Sequence, residues 1–386
     1  MLNGYAPTIA PHAIFGNRKT NDRFVSTLET LGKKFGQSIP RSSNNKREME
    51  SIYHFFNSNR VRPEYIIWSE RDRLIEFISN ERPCTWLSIG DVTTLNYTKQ
   101  RSASKMGFVT SKNQPAYNVL SQLFCDEQGV PIGLFDQIYW NYKVEELGKR
   151  RQRQHLSIEF KETAHYLRQW KSLNDTFANH PQSRFIHLFD RAGDVHELLQ
   201  TQEHSHIFYI IRSKNDRKLL DENVSVSEML DGLQPSGEYE LQIHKQSPPK
   251  QTFIQIKRQK GTSTESRKAK IEVTFATATL RASNASKNRP LKPFQVGIVR
   301  AKELSPPAGA EAIEWTLFTT LPVNTFEDAM EVIRFYTLRW QIENFHYTLK
   351  QGAKVEELQF EEPKAIWWGL QEFFILKQAF QVFSSA

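Results

Sequence analysis

The sequence predicts an α/β protein that begins with a small helical domain and contains a β-rich insertion. The first 70 residues are polar and mostly helical in pattern, and the apolar residues of FVSTLETLGKKFG (24–36) repeat at helical spacing until Gly36. Short apolar strands then alternate with helical stretches as far as residue 213. From 226 to 311, polar and apolar residues alternate between clusters of Pro, Gly, Ser and Asn, which predicts an all-β insertion.

Turn-forming residues bound the strands of the α/β part. The tetrapeptide Asp126-Glu127-Gln128-Gly129 separates two apolar runs and predicts a β-hairpin. A helix is predicted at 156–175, and a long last helix is capped by Thr325 and runs to about Lys350. The predicted strands are CTWLSIGD (84–91), YNVLSQLF (117–124), VPIGLFDQIYW (130–140), RFIHLFD (184–190), HIFYIIRS (206–213) and WTLFTTLPV (315–323).

Composition excludes several classes of protein. The 386 residues include two cysteines, Cys84 and Cys125, which are too far apart in sequence to suggest a metal motif or a disulfide framework. No apolar run reaches the roughly 18 residues of a membrane helix, and the N-terminus lacks the pattern of a secretion signal. We therefore expect a protein of a reducing compartment that does not bind a membrane.

Positive charge is the first clue to a partner. Lys and Arg number 51 against 43 Asp and Glu, and the formal net charge of +8 is compatible with nucleic-acid binding. Eight basic residues and a single acid, Glu265, lie between 244 and 270. Such a stretch would attract a polyanion. The alternative is a solvated loop between two strands.

Two aspartates each close a predicted strand. Asp91 ends CTWLSIGD and Asp190 ends RFIHLFD, and α/β folds place ligands at the carboxyl edge of the sheet. Two carboxylates brought together there repel unless a divalent cation neutralises them, and Mg²⁺ favours one or two carboxylates plus phosphate oxygens. The alternative is that each aspartate only caps the turn or helix that follows.

Four polar residues share one face of the last predicted helix. Successive members of the set Tyr336, Arg339, Glu343 and Lys350 are three, four and seven residues apart, which places all of them within about 60° of arc. The carboxylate can bind metal, and the other three groups can hold phosphate oxygens. The alternative is a solvated face in which Arg339 and Glu343 form an ion pair.

The spacing Y-x2-R-x3-E-x6-K of these residues resembles the signature of bacterial insertion-sequence DDE transposases of the YREK group. Other blocks follow in that family's order: GDVTTLNY around Asp91, and HLFDRAGDVHELL, with its D-R-x-x-D arrangement, around Asp190. YIIRSKNDRK resembles the basic strand that comes next, and WTLFTTLPV and RWQIENFHYTLKQGA resemble the approach to the catalytic glutamate and its surroundings. The resemblance covers most of residues 15–362.

The resemblance implies a ribonuclease H-like mixed sheet that is flanked by helices and interrupted by the β-rich insertion. Asp91, Asp190 and Glu343 would be the catalytic and metal-binding triad. They would hold two Mg²⁺ ions, for which Mn²⁺ can substitute, and such a pair serves each in-line displacement at phosphorus. The implied reaction nicks the transposon ends, forms and opens a hairpin, and joins the 3′-OH ends to target DNA.

The resemblance also implies contacts to DNA. Tyr336, Arg339 and Lys350 would hold phosphates of the transposon end, and Arg212 and Lys214 would touch DNA near the cleaved end. The N-terminal helical domain would bind the ends through basic residues, namely Arg18, Lys19 and Arg23.

Three further side chains have alternative interpretations. Trp315 resembles the family tryptophan that stacks on a base pulled out of the duplex, a contact worth about 1–3 kcal/mol, although it would also suit a buried strand. Trp340 lies beside the polar face and is at least as well explained by packing. His346 lies three residues after Glu343, which is a metal-ligand spacing, but we expect it to pack within the helix.

The resemblance divides the chain into five parts. After Pro363 the tail is apolar and aromatic and resembles the family poorly, so a truncation or frameshift is expected there. The expected parts are 1–75, a DNA-end-binding domain; 76–225, the first part of the catalytic core; 226–311, the insertion; 312–362, the second part of the core; and 363–386, the divergent tail.

Three functions remain open at this point. The first is a Mg²⁺-dependent DNA transposase that binds terminal inverted repeats and target DNA as a homodimer, in the bacterial cytoplasm at the nucleoid. The second is a truncated, non-catalytic end-binding protein that acts as an inhibitor. The third is a plain nuclease on the same fold, which would cleave DNA without joining it.

Overall fold

The computed structural model separates into two compact units. Unit 1 comprises Met1–Leu188, Glu203–Ile207 and Leu338–Ala386, and unit 2 comprises Phe189–Gln202 and Phe208–Thr337. Each unit is considered by itself. The residues that the structure describes are 5–98, 106–109, 114–147, 158–220, 224–243, 267–282, 291–307 and 312–357.

Unit 1 begins with a cluster of helices, as the sequence predicts. In α2, the side chain of Asn17 caps the first turn by accepting a hydrogen bond from the Thr20 amide at 2.9 Å. The apolar face of α2 packs through Phe24 against Phe15 and Phe55, with ring centroids 4.8 and 5.9 Å apart. The five helices are α1 (Tyr5–Ile9), α2 (Arg18–Lys33), α3 (Ile39–Ser42), α4 (Lys46–Phe56) and α5 (Pro63–Asn80).

The sheet of unit 1 contains the predicted hairpin. Its first three strands pair antiparallel, and Gly129, at a φ of +86°, lies in the turn between the second and the third. The strands are β1 (Thr85–Asn96), β2 (Ala116–Asp126), β3 (Pro131–Trp140) and β4 (Arg184–Phe189), in the order β3-β2-β1-β4.

Helices cover this sheet. Helix α5 packs on β3, where Arg73 donates a hydrogen bond to the Ile132 carbonyl at 3.0 Å and Leu74 fills the space above Gly133. The other helical elements of unit 1 are α6 (Thr163–Phe177), α10 (Trp340–Tyr347) and the π-helical segment Thr348–Gly352.

Unit 2 contains an antiparallel sheet that carries the β-rich insertion. Strand β9, which follows the insertion, pairs with β5 and with the insertion strand β8, so the insertion strands extend the sheet of this unit. The strands are β5 (Ile207–Arg212), β6 (Gly237–Ile243), β7 (Arg267–Leu280), β8 (Phe294–Leu304) and β9 (Glu314–Thr319), in the order β5-β9-β8-β7-β6. The helices are α7 (His196–Leu199), α8 (Val226–Asp231) and α9 (Phe326–Leu338).

The predicted fold class is confirmed: a mixed α/β protein with a large sheet, flanking helices and a small helical N-terminal part. One difference from the predicted all-β insertion is the short helix α8, which begins at Val226. Its sequence signal is a capping box, in which Ser225 accepts from the Glu228 amide and Glu228 accepts from the Ser225 amide. Residues 244–266, which include most of the basic stretch, and the divergent tail 363–386 lie outside the described residues.

Among the helices of the described ranges, none is both long and apolar enough to span a bilayer.

A buried hydrogen-bonded network joins β1, β2 and β4 in unit 1. Ser88 Oγ lies 2.7 Å from His187 Nδ1, and Gln122 Nε2 donates to Ser88 Oγ at 2.9 Å. All three residues are fully buried. Burial lowers the pKa of His187 to about 3, against the opposing effect of its hydrogen bond with Ser88. The imidazole is therefore neutral in the folded protein at ordinary pH.

The network predicts a specific acid sensitivity. Because the folded-state pKa of His187 is lowered, its contribution to stability is complete above the unfolded-state value near 6.5 and is lost as pH falls toward 3. Between pH 7.5 and 5.0 this group alone should lower the free energy of unfolding by about 2 kcal/mol. Urea unfolding should show that His187→Gln loses correspondingly less stability over that interval. The exposed His54 provides the control His54→Gln, and an equal acid sensitivity in all three proteins would contradict the assignment.

A second prediction concerns Gly36, where the N-terminal helices contact the π-helical segment. Gly36 has a φ of +79°, and a Cβ added there would overlap the carbonyl oxygen of Gly352. Gly16 has a similar φ of +81°, but a Cβ added there meets no described atom within 4 Å. Gly16→Ala should therefore cost about 1–2 kcal/mol from backbone strain, and Gly36→Ala a further 1–3 kcal/mol from the overlap. Equal losses in thermal or urea unfolding would show that the contact with Gly352 is unimportant.

Candidate functional site

Asp91 lies within β1, so the prediction that it ends the strand is wrong. The strand continues to Asn96, with Asp91 opposite Ser121 and Asn96 opposite Ala116 on β2. The β-branched residues after Asp91, Val92 to Thr94, suit this extension. Residues 85–90 are buried and the burial becomes intermittent from Asp91 onward, so its carboxylate lies where the strand begins to meet solvent.

Asp190 follows its strand directly, as predicted, because β4 ends at Phe189. Its Oδ1 accepts a hydrogen bond from the Ala192 amide at 2.9 Å and caps the single 3₁₀ turn Arg191–Gly193. Asp190 therefore caps the turn, as the alternative interpretation expected, but it uses only one of its two carboxylate oxygens to do so. Asp190 belongs to unit 2, whereas Asp91 and Glu343 belong to unit 1.

Arg339 connects two of the three predicted acids. It has helical backbone angles and directly precedes α10, which carries Glu343. Its Nη2 donates to Glu343 Oε1, and its Nη1 lies 3.8 Å from Asp91 Oδ2. One guanidinium thus contacts carboxylates from β1 and α10. The ion pair expected in the alternative interpretation is present, but it includes Asp91 as well as Glu343.

His346 also lies close to Asp91. Its Nδ1 lies 3.9 Å from Asp91 Oδ2, and its Nε2 lies 3.3 Å from Ser121 Oγ. The residue is buried, in agreement with the packing role expected from the sequence. No sequence signal indicated its proximity to Asp91, because that contact depends on how α10 packs against β1.

Lys350 lies in a different backbone geometry from the rest of the predicted polar face. The prediction of one helix from Thr325 to Lys350 is wrong, because the helix is divided at Arg339 into α9 and α10. Helix α10 ends at Tyr347, and Lys350 falls in the π-helical segment Thr348–Gly352. The wider π turn changes the angle between successive side chains, so the α-helical spacing rule fails there. Burial lowers the pKa of the Lys350 ammonium, and the nearby carboxylate of Glu356 acts in the opposite direction.

Tyr336 and Trp315 contact each other in unit 2. Their rings meet edge to face with centroids 5.5 Å apart, and Tyr336 is buried. Trp315 lies on β9 and is half-buried. In this structure the residues expected to hold a phosphate and to stack on a base therefore form one aromatic pair.

Arg212 is the last residue of β5, and Lys214 lies two residues beyond it. Arg212 Nη2 donates to the Glu314 carbonyl at 3.0 Å, and the Lys214 amide donates to Asp194 Oδ2 at 2.8 Å. The carboxylate of Asp194 is fully buried and also accepts from Arg217 Nε at 2.9 Å. The second aspartate of D-R-x-x-D thus fixes the loop that carries Lys214, and its partner Arg217 was missed from the sequence.

The N-terminal basic residues lie on α2. Arg18 and Lys19 are exposed in its first turn, and Arg23 is half-buried one turn later. Beside that turn is a surface cavity of about 400 Å³ that contains two further arginines. Its lining residues are Ile14, Phe15, Gly16, Asn17, Asn59, Arg60, Arg62 and Tyr65.

The described end of the basic stretch is paired with acids. Arg267 Nη2 donates to Glu303 Oε2 at 3.0 Å, and Lys268 and Lys270 form ion pairs with Glu240 and Glu238 on β6 at 3.3 and 2.5 Å. These cross-strand pairs cancel much of the local positive charge. Residues 267–270 therefore belong to the paired strand β7 rather than to the solvated loop of the alternative, and their charges are already matched by acids.

The described residues do not form a complete metal site. In the described ranges, no group of three or more His, Cys, Asp or Glu side chains is close enough together to hold a metal ion. What unit 1 does contain is a pair of carboxylates, Asp91 and Glu343, bridged by the cation of Arg339. Oxygen donors already arranged around a positive charge suit a hard divalent ion.

Two family models match this chain. Residues 9–61 match the family model described as transposase DNA-binding, and residues 153–367 match the model described as transposase DDE domain. The second match covers more than half of the chain and includes Asp190 and Glu343 but not Asp91. The DNA-binding match thus precedes the DDE-domain match along the chain. The chain belongs to the DDE transposase family, whose members generally use divalent metal ions.

One solved structure is also similar to this chain. It is described as the cryo-EM structure of a piggyBac transposase synaptic complex with hairpin DNA. The similarity covers 98% of this chain and 66% of that chain, with 12% sequence identity and a TM-score of 0.41. This chain therefore spans just under two thirds of the length of that protein.

The two arginines that line the surface cavity beside α2, Arg60 and Arg62, are additional candidates for contact with DNA. Arg60 lies within the matched DNA-binding segment and Arg62 directly follows it, and both are exposed. If each neutralises one phosphate, Arg60→Gln and Arg62→Gln should each reduce the slope of log affinity against log salt by about 1. Fluorescence anisotropy with a labelled duplex measures this slope. Lys46→Gln removes a charge that is paired with Glu50 elsewhere in the same module, and it should leave the slope nearly unchanged.

Proposed function

We propose that this protein is a Mg²⁺-dependent DNA transposase of the YREK insertion-sequence type. It would nick transposon ends by hydrolysis, form and open a hairpin, and join the 3′-OH ends to target DNA. The observation that carries the proposal is the convergence of Asp91 and Glu343, from β1 and α10, on one guanidinium. A helix-surface ion pair would need only Arg339 and Glu343, whereas a site for phosphate and metal needs both acids.

Asp91, Asp190 and Glu343 are the proposed metal ligands. The side chains of Asp91 and Glu343 are 18% and 48% exposed, so solvent and substrate can reach their oxygens. Bound there, a divalent ion would activate water or a 3′-OH and stabilise the charge that develops at phosphorus. In Asp190, Oδ1 caps the turn through the Ala192 amide. A carboxylate can accept further bonds through its second oxygen.

The remaining predicted residues would position the DNA. The planar guanidinium of Arg339 can donate two hydrogen bonds to one phosphate. The half-buried ammonium of Lys350 supplies a second positive charge. Tyr336, Arg212 and Lys214 are proposed phosphate contacts, and Trp315 is the proposed base-stacking residue. For Trp315 to stack on a base, its ring would have to exchange the contact with Tyr336 for the base.

The partners follow from the two matched modules. The segment around α2, with Arg18, Lys19 and Arg23, would bind terminal inverted repeats, and the five-part division of the chain at 75, 225, 311 and 362 is retained as a proposal. Two copies would pair the ends as a homodimer. In a bacterial cell this would take place in the cytoplasm, on nucleoid DNA.

The triad can be tested one carboxylate at a time. Asp91→Asn, Asp190→Asn and Glu343→Gln should each lower strand cleavage and joining by about a hundredfold or more, while DNA binding persists. The assay uses purified full-length chain, Mg²⁺ or Mn²⁺, and DNA that carries the ends flanking its gene. Glu240→Gln, in an exposed ion pair on β6, is the control and should retain wild-type rates. Undiminished cleavage in any of the three triad variants would refute its assignment.

The same assay separates the alternatives. An end-binding inhibitor would bind the DNA in a salt-sensitive way and show no metal-dependent cleavage in the wild-type chain. A plain nuclease would cleave without end preference and leave no joined product. Metal-dependent joining that is specific for the ends is expected only from a transposase.

A further inference from the structure

The two acids of unit 1 share one resident cation. Arg339 Nη1 lies 3.8 Å from Asp91 Oδ2, and Nη2 donates to Glu343 Oε1. The Arg339 side chain is only 17% exposed, so much of its length is fixed by packing and the guanidinium is held against both carboxylates. An exposed i,i+4 pair on a helix would not need the second contact to β1.

Charge balance explains why a cation is needed there. Two carboxylates that face a common point repel each other, and the repulsion grows as water is excluded. His346 is another described group near Asp91; its imidazole is buried and its Nε2 lies 3.3 Å from Ser121 Oγ. Arg339 supplies a fixed positive charge that contacts both Asp91 and Glu343.

A divalent ion and the guanidinium would require the same oxygens. With Arg339 in place, the group formed by Asp91, Glu343 and Arg339 carries one net negative charge, and without it two. A metal ion that binds Asp91 and Glu343 must therefore displace the guanidinium or bind more weakly beside it. A DNA phosphate offers the displaced fork another bidentate acceptor.

We propose that Arg339 is a positioning residue that acts as the resident counter-ion of Asp91 and Glu343, and that metal binding displaces it onto a DNA phosphate. This inference rests on the proposed function, because it takes these two acids to be metal ligands. Metal and DNA then bind with positive coupling, since each relieves the charge conflict that the other creates. Without DNA, the guanidinium keeps the metal affinity low.

Direct metal binding tests the inference without measuring catalysis. Isothermal titration calorimetry with Mn²⁺ on the full chain, without DNA, should show that Arg339→Gln binds about tenfold more tightly than wild type. Arg339→Lys keeps one positive charge but loses the fork, so it should bind about threefold more tightly. Lys354→Gln removes an exposed positive charge from the same unit and should not change the affinity by more than about twofold.

DNA provides the second measurement. A short duplex should tighten Mn²⁺ binding to wild type by about tenfold and have little effect on Arg339→Gln, because that variant has no guanidinium to displace. The duplex itself also binds Mn²⁺. The same titration with Asp91→Asn protein and duplex measures this background, which is subtracted. An equal gain from the duplex in wild type and Arg339→Gln would overturn the coupling.

Failure of the inference can be distinguished from failure of the proposed function. If Asp91→Asn and Glu343→Gln bind Mn²⁺ as wild type does, the acids are not metal ligands and both proposals fall. If those variants lose Mn²⁺ while Arg339→Gln gains nothing, only the counter-ion role is wrong. Should Arg339→Gln not fold, Arg339→Lys decides alone, and a wild-type affinity in it would overturn the role.

Discussion

The structure of the candidate site depends on one electrostatic constraint: two ionised carboxylates from different elements repel each other unless a cation lies close to both. Asp91 comes from β1 and Glu343 from α10, and the Arg339 guanidinium meets both. In the proposed catalytic state a divalent ion would satisfy the same constraint. In this proposal the arginine has two compatible roles: it would stabilise the acids before metal binds and would bind phosphate through its guanidinium afterwards.

The extension of β1 past Asp91 holds the Asp91 carboxylate where Arg339 can contact it together with Glu343. If the strand ended at Asp91, the carboxylate would project into a turn, and its position would follow the turn's conformation. Instead, Asp91 is held by the ladder with β2 opposite Ser121, whose hydroxyl also lies 3.3 Å from His346. The network of Ser88, Gln122 and His187 joins the neighbouring strands in the core. A site on a paired strand is better defined than one on a loop.

Much of the fold could be predicted from the sequence, and the site only in part. The hairpin around Gly129 and the strand before Asp190 followed from local patterns of apolar and turn-forming residues. The end of β1 did not, because pairing with β2 extends a strand through polar residues that no local rule assigns. The pairing of Asp194 with Arg217 and the approach of His346 to Asp91 are contacts between segments distant in sequence, which spacing along one element cannot reveal.

The predicted DNA-binding residues have intramolecular partners, and this bears on how such a site stays folded without its substrate. Buried or half-buried polar and aromatic groups are costly unless they are paired. Tyr336 packs against Trp315, Arg212 donates to the Glu314 carbonyl, and Arg339 holds two carboxylates. DNA would then exchange one set of partners for another, so its affinity reflects the difference between the two sets. Because the contacts that are lost in this exchange offset much of the gain from phosphates, local charge alone would overestimate the affinity for DNA.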